Sequence, residues 1–137
     1  MKKKLTIIQV LPSLVSGGVE KGTLEVAKFL VEKGHKSIVI SGGGRMVSQL
    51  VAEGSKHIQW SIGKKSLLTF MYVIRLIRLI QKTDIDIIHA RSRLPAWIVF
   101  IALKLINKKR RPYFITTVHG FNSVSLYSAI MTKGDRV

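Results

Sequence analysis

The 137-residue chain has no cysteine, which excludes disulfides and thiolate metal sites. Its four histidines are scattered, with no H-x-x-x-H pair and no carboxylate cluster, so no metal and no other cofactor is expected. Acids are scarce: seven Asp and Glu stand against 23 Lys and Arg, for a net charge of +16. Such an imbalance calls for an anionic partner: nucleic acid, a phosphorylated ligand or an acidic membrane surface. Aromatic residues make up only 7% and are not interleaved with basic ones, which argues against a base-stacking platform for nucleic acid. No run reaches the ~18 uncharged apolar residues of a membrane span. The basic start, M-K-K-K-L-T-I-I-Q-V, has too short an apolar run for an export signal. It reads as a solvated tip on a first strand, and a cytoplasmic location is expected.

What is present is apolar and alternating. Hydrophobic residues make up 47% of the chain, which suits a parallel sheet buried on both faces. The length allows one domain. Strands are expected at Leu5–Val10, Ser37–Ser41, Lys56–Trp60, Ile85–Ala90 and Tyr113–Val118. Helices are expected from Val19 to a stop at Gly34, over Met46–Glu53, Leu67–Gln81 and Pro95–Ile106. Repeated strand–helix units predict an α/β, Rossmann-like parallel sheet flanked by helices, with ligands at the carboxyl ends of the strands. That rule singles out four loops: Ser13–Val19, Ser41–Arg45, His89–Leu94 and His119–Ser123. Ser123–Met131 reads as another helix, and Arg136-Val137 reads as the opening of a sixth strand. One domain over 1–137, incomplete at its C-terminus, is therefore expected.

The first loop is the most informative. A strand, Pro12, Gly17-Gly18 and then a helix aim backbone N–H groups and a helix dipole at an anion. Gly17 and Gly18 are candidate phosphate contacts, with an ordinary tight turn as the plain alternative. The G-x-G-x-x-G spacing is absent and no acid ends the second strand, which argues against a nicotinamide enzyme. Glu20 complements the helix dipole. In the third loop, His89, Arg91, Ser92 and Arg93 are candidate acceptor-side residues: the arginines either grip an acidic group in bidentate fashion or are solvated charges. His119, at the end of the fifth strand, is placed for a ligand or simply caps the strand. His35 belongs to the helix-to-strand turn, and His57 has no partner visible in sequence.

A basic surface is the other candidate. Arg75, Arg78 and Lys82 fall on one stripe of an apolar helix, and Lys108, Lys109, Arg110 and Arg111 follow further on. The helix either packs fully on the sheet with its arginines snorkelling, or presents an amphipathic surface to anionic lipid. Each basic group near such a surface contributes ~1 kcal/mol.

The ordered segments G-G-V-E-K, L-E-V-A-K-F-L-V-E-K-G-H-K-S-I-V-I-S-G-G-G, D-I-I-H-A-R-S-R and T-T-V-H-G-F resemble the N-terminal domain of a family 4 glycosyltransferase of GT-B architecture. The resemblance covers about Lys4 to Val137. It implies the acceptor-side half of a two-domain enzyme that moves a sugar from a nucleotide-sugar donor to a lipid-linked or polysaccharide acceptor in cell-envelope glycan synthesis. It further implies that the donor is held mainly by a second domain, that Gly17-Gly18 approach the donor phosphates, and that His119 lies beside the transferred sugar as the catalytic group. A peripheral position on the inner face of a membrane fits lipid-linked acceptors. The competing reading is a non-catalytic basic Rossmann-like module binding anionic membrane or nucleic acid.

Overall fold

Strand β1 (Thr6–Val10) is the spine of the molecule. Its Ile7, Ile8 and Val10 are all fully buried, so the strand is covered on both faces, as β-branched residues in a central parallel strand favour. The structure is a computed structural model that describes residues 4–15, 17–62 and 68–116, with the backbone alone for residues 68 and 69. After β1 come α1 (Gly18–Glu32), β2 (Lys36–Ser41), α2 (Val47–Ala52), β3 (Lys56–Gln59), α3 (Leu68–Lys82), β4 (Ile87–Ala90), α4 (Arg93–Lys104), a 3-10 turn (Lys108–Arg110) and β5 (Tyr113–Thr116). The described strands form one sheet in the order β3-β2-β1-β4-β5. Every neighbouring pair is parallel. The expected α/β Rossmann-like sheet is present.

Register divides the core into two faces. Ile8 sits opposite Ile38 and Ile88, and Gln9 opposite Val39 and His89. Ile8, Val10, Ile38, Ile40 and Ile88 meet Val73 and Leu76 of α3 and Ile98, Val99 and Ala102 of α4. On the other face Ile7 and Ile87 meet Val26 and Leu30 of α1, while Leu11 and Val39 meet Leu24, Ala27 and Leu50. Thus α1 and α2 cover one face and α3 and α4 the other. Burying each of these aliphatic side chains contributes roughly 1.5–3 kcal/mol.

Some boundaries differ from the sequence reading, each for a local reason. β4 begins at Ile87, not Ile85, because Asp86 is committed to the start of β1: its Oδ2 accepts from Thr6 N at 2.8 Å. α4 begins at Arg93; Pro95 still falls in the first turn, where helix N–H groups have no intrahelical partner to lose. The helix ends at Lys104, and Arg111 then satisfies freed carbonyls: its Nε donates to Ile106 O at 3.0 Å and its Nη2 to Lys104 O at 3.4 Å. α3 does not pack wholly on the sheet. Tyr72, Val73, Leu76 and Ile80 are buried, whereas Phe70, Met71 and Ile74 face solvent with Arg75 and Arg78. The end of the fifth strand, the His119–Ser123 loop, the helix at Ser123–Met131 and the strand opening at Arg136 lie outside the described residues.

Candidate functional site

The strand order reverses between β1 and β4, and a crevice outside the carboxyl ends of the strands is where such sheets take ligands. Two predicted loops flank that point: the β1–α1 segment with Gly17 and Gly18, and the β4–α4 segment with Arg91 and Ser92. Backbone hydrogen bonds continue the sheet past the strand ends to fix both. Leu11 N donates to Ile40 O at 3.0 Å, and Arg91 N to Val10 O at 2.9 Å.

The triple glycine after β2 holds the first loop. Leu14 N donates to Gly43 O at 2.9 Å, Met46 N to Leu14 O at 2.9 Å and Gly42 N to Pro12 O at 2.8 Å. Arg45 Nε adds a bond to Val15 O at 3.1 Å. A Cβ on Gly42 would lie 2.7 Å from Pro12 O, and one on Gly44 would overlap the Leu14 carbonyl. The two loops therefore interlock only because these positions lack side chains. Leu14 is fully buried while Val15, Gly17 and Gly18 are exposed, so the anchored loop presents its distal end to solvent.

Gly17 is the N-cap of α1, with φ 139° and no side chain to cap the first turn. Only glycine adopts that backbone readily. Gly18 differs: a Cβ there would meet nothing within 4 Å. The conformational need for glycine thus rests on Gly17, and Gly18 keeps the approach to the amides open. Glu20, third in the helix, turns back over this end; a Cβ on Gly17 would lie 3.2 Å from its Oε2. Its carboxylate stands at the N-terminal end of α1, where the dipole favours negative charge.

The acceptor-side group divides in two. His89 is fully buried and Arg91 is 7% exposed, both on the α1 face of the sheet. Arg91 and Arg93 differ in environment, the first buried and the second exposed. Arg91 runs inward, its Nε donating to Gln9 Oε1 at 2.9 Å, and Gln9 Nε2 donates to Thr23 O at 3.2 Å. Its Nη1 reaches within 3.5 Å of where a Cβ on Gly22 would sit, placing the charge under the first turns of α1. Arg93 is exposed, and Ser92, the N-cap of α4, makes no capping bond with its side chain. Burial, and then the Arg91 charge, push the His89 pKa down to about 3. His89 is neutral at physiological pH and is buried on the α1 face of the sheet.

Two histidines acquire partners that spacing did not reveal. His57 Nε2 and Ser41 Oγ are 2.7 Å apart, and Gly43 N donates to the same hydroxyl at 3.1 Å. This chain of contacts ties edge strand β3 to the glycine platform. Burial lowers the His57 pKa. His35 Nδ1 accepts from Leu5 N at 3.0 Å, a structural role in the helix-to-strand turn. His119, the expected catalytic group, lies outside the described residues. Among the described residues no three His, Cys, Asp or Glu side chains gather to hold a metal ion.

The basic candidates lie elsewhere. Arg75 and Arg78 of α3, and Lys108 through Arg111 between α4 and β5, are all exposed. Arg111 is also engaged in capping α4.

With this geometry established, the sequence profile of Glycosyltransferase Family 4 matches residues 16–136. The chain belongs to glycosyltransferase family 4. A solved glycosyltransferase from Rickettsia africae ESF-5 is 44% identical with a TM-score of 0.72. The match covers 96% of this chain and 35% of that one, so the chain spans about a third of that relative's length. The C-terminal domain of a hydrogenase from Pyrococcus furiosus matches with a TM-score of 0.62 at 14% identity, covering 86% of this chain and 94% of that one; the likeness is of fold alone. No curated protein sequence matches this chain.

Proposed function

We propose that this family 4 chain is the acceptor-side half of a GT-B enzyme that transfers a sugar from a nucleotide-sugar donor to a lipid-linked or polysaccharide acceptor in cell-envelope glycan synthesis. The observation that carries the reading is the β1–α1 loop. It stands at the reversal of the strand order, is locked by the Gly42–Gly44 platform, and ends in uncapped helix amides at Gly17 and Gly18. Amides and dipole there suit a diphosphate.

In this reading the donor phosphates displace the Glu20 carboxylate and meet the first turn of α1, with the Arg91 charge beneath adding a favourable field. Phosphate charge grows as the sugar leaves, so donors fixed in advance favour the transition state over the ground state. The acceptor enters from the β4–α4 side, past the hydroxyl of Ser92 and the exposed Arg93. Through the family resemblance, His119 serves as the catalytic residue beside the transferred sugar, stabilising the transition state by hydrogen bonding. A second domain supplies the remaining donor contacts.

The test is a competition assay on the 137-residue chain with nucleotide sugars and free nucleoside diphosphates. Both classes should compete for one weak site, which Gly17→Val removes in a folded variant. The chain should show no turnover by itself with lipid extracts as acceptor. Binding that ignores the diphosphate, or turnover without a second domain, would overturn this division of labour.

A further inference from the structure

A line of contacts links edge strand β3 to the loop that ends at Gly17. His57 pairs with Val39 of β2 and shares its face of the sheet, the one covered by α1 and α2. From there its Nε2 lies 2.7 Å from Ser41 Oγ, at the carboxyl end of β2. Ser41 is fully buried, and its hydroxyl also accepts from Gly43 N at 3.1 Å. Gln59, next on the same side of β3, lies over Gly43 as well: a Cβ on Gly43 would come within 3.2 Å of the Gln59 Oε1. Gly43 O in turn accepts from Leu14 N at 2.9 Å, and Leu14 is the buried anchor of the β1–α1 loop. The line thus runs from His57 through Ser41 and Gly43 to Leu14.

The Ser41 hydroxyl sets the proton arrangement along that line. A serine hydroxyl has one proton to give and two lone pairs that accept. With Gly43 N donating to it, the hydroxyl is satisfied when its own proton goes to His57 Nε2, which requires a neutral ring with its proton on Nδ1. Protonation of the ring turns that contact around. Nε2 becomes a donor, two donors converge on one buried oxygen, and the Ser41 proton must leave for another acceptor. Burial favours the neutral ring. Few charges bear on it. Of the elements packed against β3, α2 carries no titratable side chain and β2 carries only Lys36, at the end away from Ser41. Lys56 is exposed and points to the opposite side of the strand, and Glu53 stands at the C-terminal end of α2. The arginines of α3 lie behind the other face of the sheet, where Ile58 packs.

We infer that His57 is a positioning residue for the β1–α1 loop: through Ser41 and Gly43 its neutral ring holds Leu14, and with it the helix amides at Gly17 and Gly18, in the geometry that receives an anion, and its protonation loosens that hold. The inference rests on the reading of this loop as the donor-phosphate site and adds to it a residue from the edge of the sheet. A helix end binds an anion through the placement of its amides, so a displaced Gly43 is felt as lost affinity. Linkage is reciprocal: a neutral ring that favours binding is itself favoured by binding. A bystander histidine behaves in the opposite way, because a bound dianion favours the protonated ring. The direction of the change therefore separates positioning from mere proximity.

The experiment is a pair of pH titrations of the 137-residue chain, followed by ¹⁵N–¹H spectra and the His57 ring protons. One is run without ligand and one with UDP-glucose, whose diphosphate has no group that titrates in the histidine range of about pH 5 to 8. In the free chain the Leu14 and Gly43 amides should shift in step with the His57 ring. Saturation with UDP-glucose should lower the ring's affinity for its proton by roughly two- to tenfold, the worth of one hydrogen bond. UDP-glucose should bind more weakly by the same factor once the ring is protonated. Folded His57→Gln keeps an oxygen that accepts from Ser41 but takes up no proton. It should bind as the parent does at high pH and lose the part of the pH dependence that follows the ring. Folded Ser41→Ala should keep a titrating ring that Gly43 no longer follows. Leu14 and Gly43 amides that ignore the ring in the free chain would overturn the inference, whether or not UDP-glucose binds. So would a ring whose proton affinity rises on binding, or a His57→Gln variant with the parent's full pH dependence. UDP-glucose that leaves the loop amides unmoved, while Leu14 and Gly43 still follow the ring, would strike the donor reading and leave the coupling of β3 to the loop standing.

Discussion

Arg91 Nε donates to Gln9 Oε1 at 2.9 Å, joining the end of β4 to the middle of β1 beneath the first turns of α1. Gln9 is fully buried, and its amide also donates to Thr23 O at 3.2 Å, so one side chain clamps two strands and a helix. Gln9→Leu keeps the volume but strips both bonds. A buried donor deprived of its acceptor costs ~1–3 kcal/mol, more when charged. The urea midpoint should fall accordingly, and Gln9→Glu, which restores an acceptor to Arg91, should recover part of the loss. An unchanged midpoint in Gln9→Leu would show that the clamp is dispensable.

Acid should destabilise this domain through His89. Its folded pKa is lowered to about 3, below the ordinary value of ~6.5. The unfolded chain therefore takes up the proton first as pH falls. Stability from the neutral, buried ring is complete above pH ~6.5 and is lost progressively toward pH ~3, at up to ~1.4 kcal/mol per pH unit. His57, also lowered by burial, acts in the same direction. Unfolding free energies measured by urea at pH 7 and pH 5 should differ, and His89→Gln should shrink that difference. A variant with the full acid slope would assign it elsewhere.

The glycines should separate sharply by substitution. Gly44→Ala places a methyl group into the Leu14 carbonyl at φ 147°, so the interlocked loops must part. A loss of at least ~1 kcal/mol in stability is expected where an alanine is forced into positive φ. Gly18→Ala meets open space in a helical backbone and should stabilise the chain by ~0.4–1 kcal/mol through the unfolded state. Thermal melts of the two variants check the contrast, and equal effects would contradict it.

Glu20→Gln should move stability and ligand binding in opposite directions. The carboxylate turned over Gly17 complements the helix dipole, an effect of ~0.3–1 kcal/mol. Removing its charge should lower the melting temperature slightly while tightening nucleoside diphosphate binding several-fold, because the two anions share one cradle. Weaker diphosphate binding in a folded Glu20→Gln would instead make Glu20 a ligand contact.

Local signals carried the element order well. The apolar run before Pro12, the Gly34 stop and the glycines after Ser41 each correspond to a strand end, helix end or turn in the structure. What spacing did not convey was direction. Arg91 and Arg93 are two residues apart, yet one is drawn under α1 by Gln9 and the other left in water, a choice made by a residue 82 positions away. Likewise, the Ser41–His57 contact depends on the pairing of β2 with β3, which periodicity cannot supply. Nor does the apolar run of Pro95–Ile106 show which side stays outside: Trp97, Phe100 and Leu105 are exposed once α4 packs.

The central claim is that the β1–α1 loop receives the donor's diphosphate. The most direct measurement is a ¹⁵N–¹H titration of the 137-residue chain with a nucleoside diphosphate, taken to concentrations high enough to saturate a weak site. The largest amide shifts should fall on Gly17, Gly18 and Val19, extend to Gly43 and Gly44 through the interlocked loops, and disappear in Gly17→Val. Shifts confined to the basic α3–α4 face, or a β1–α1 loop that does not respond at saturation, would contradict the account.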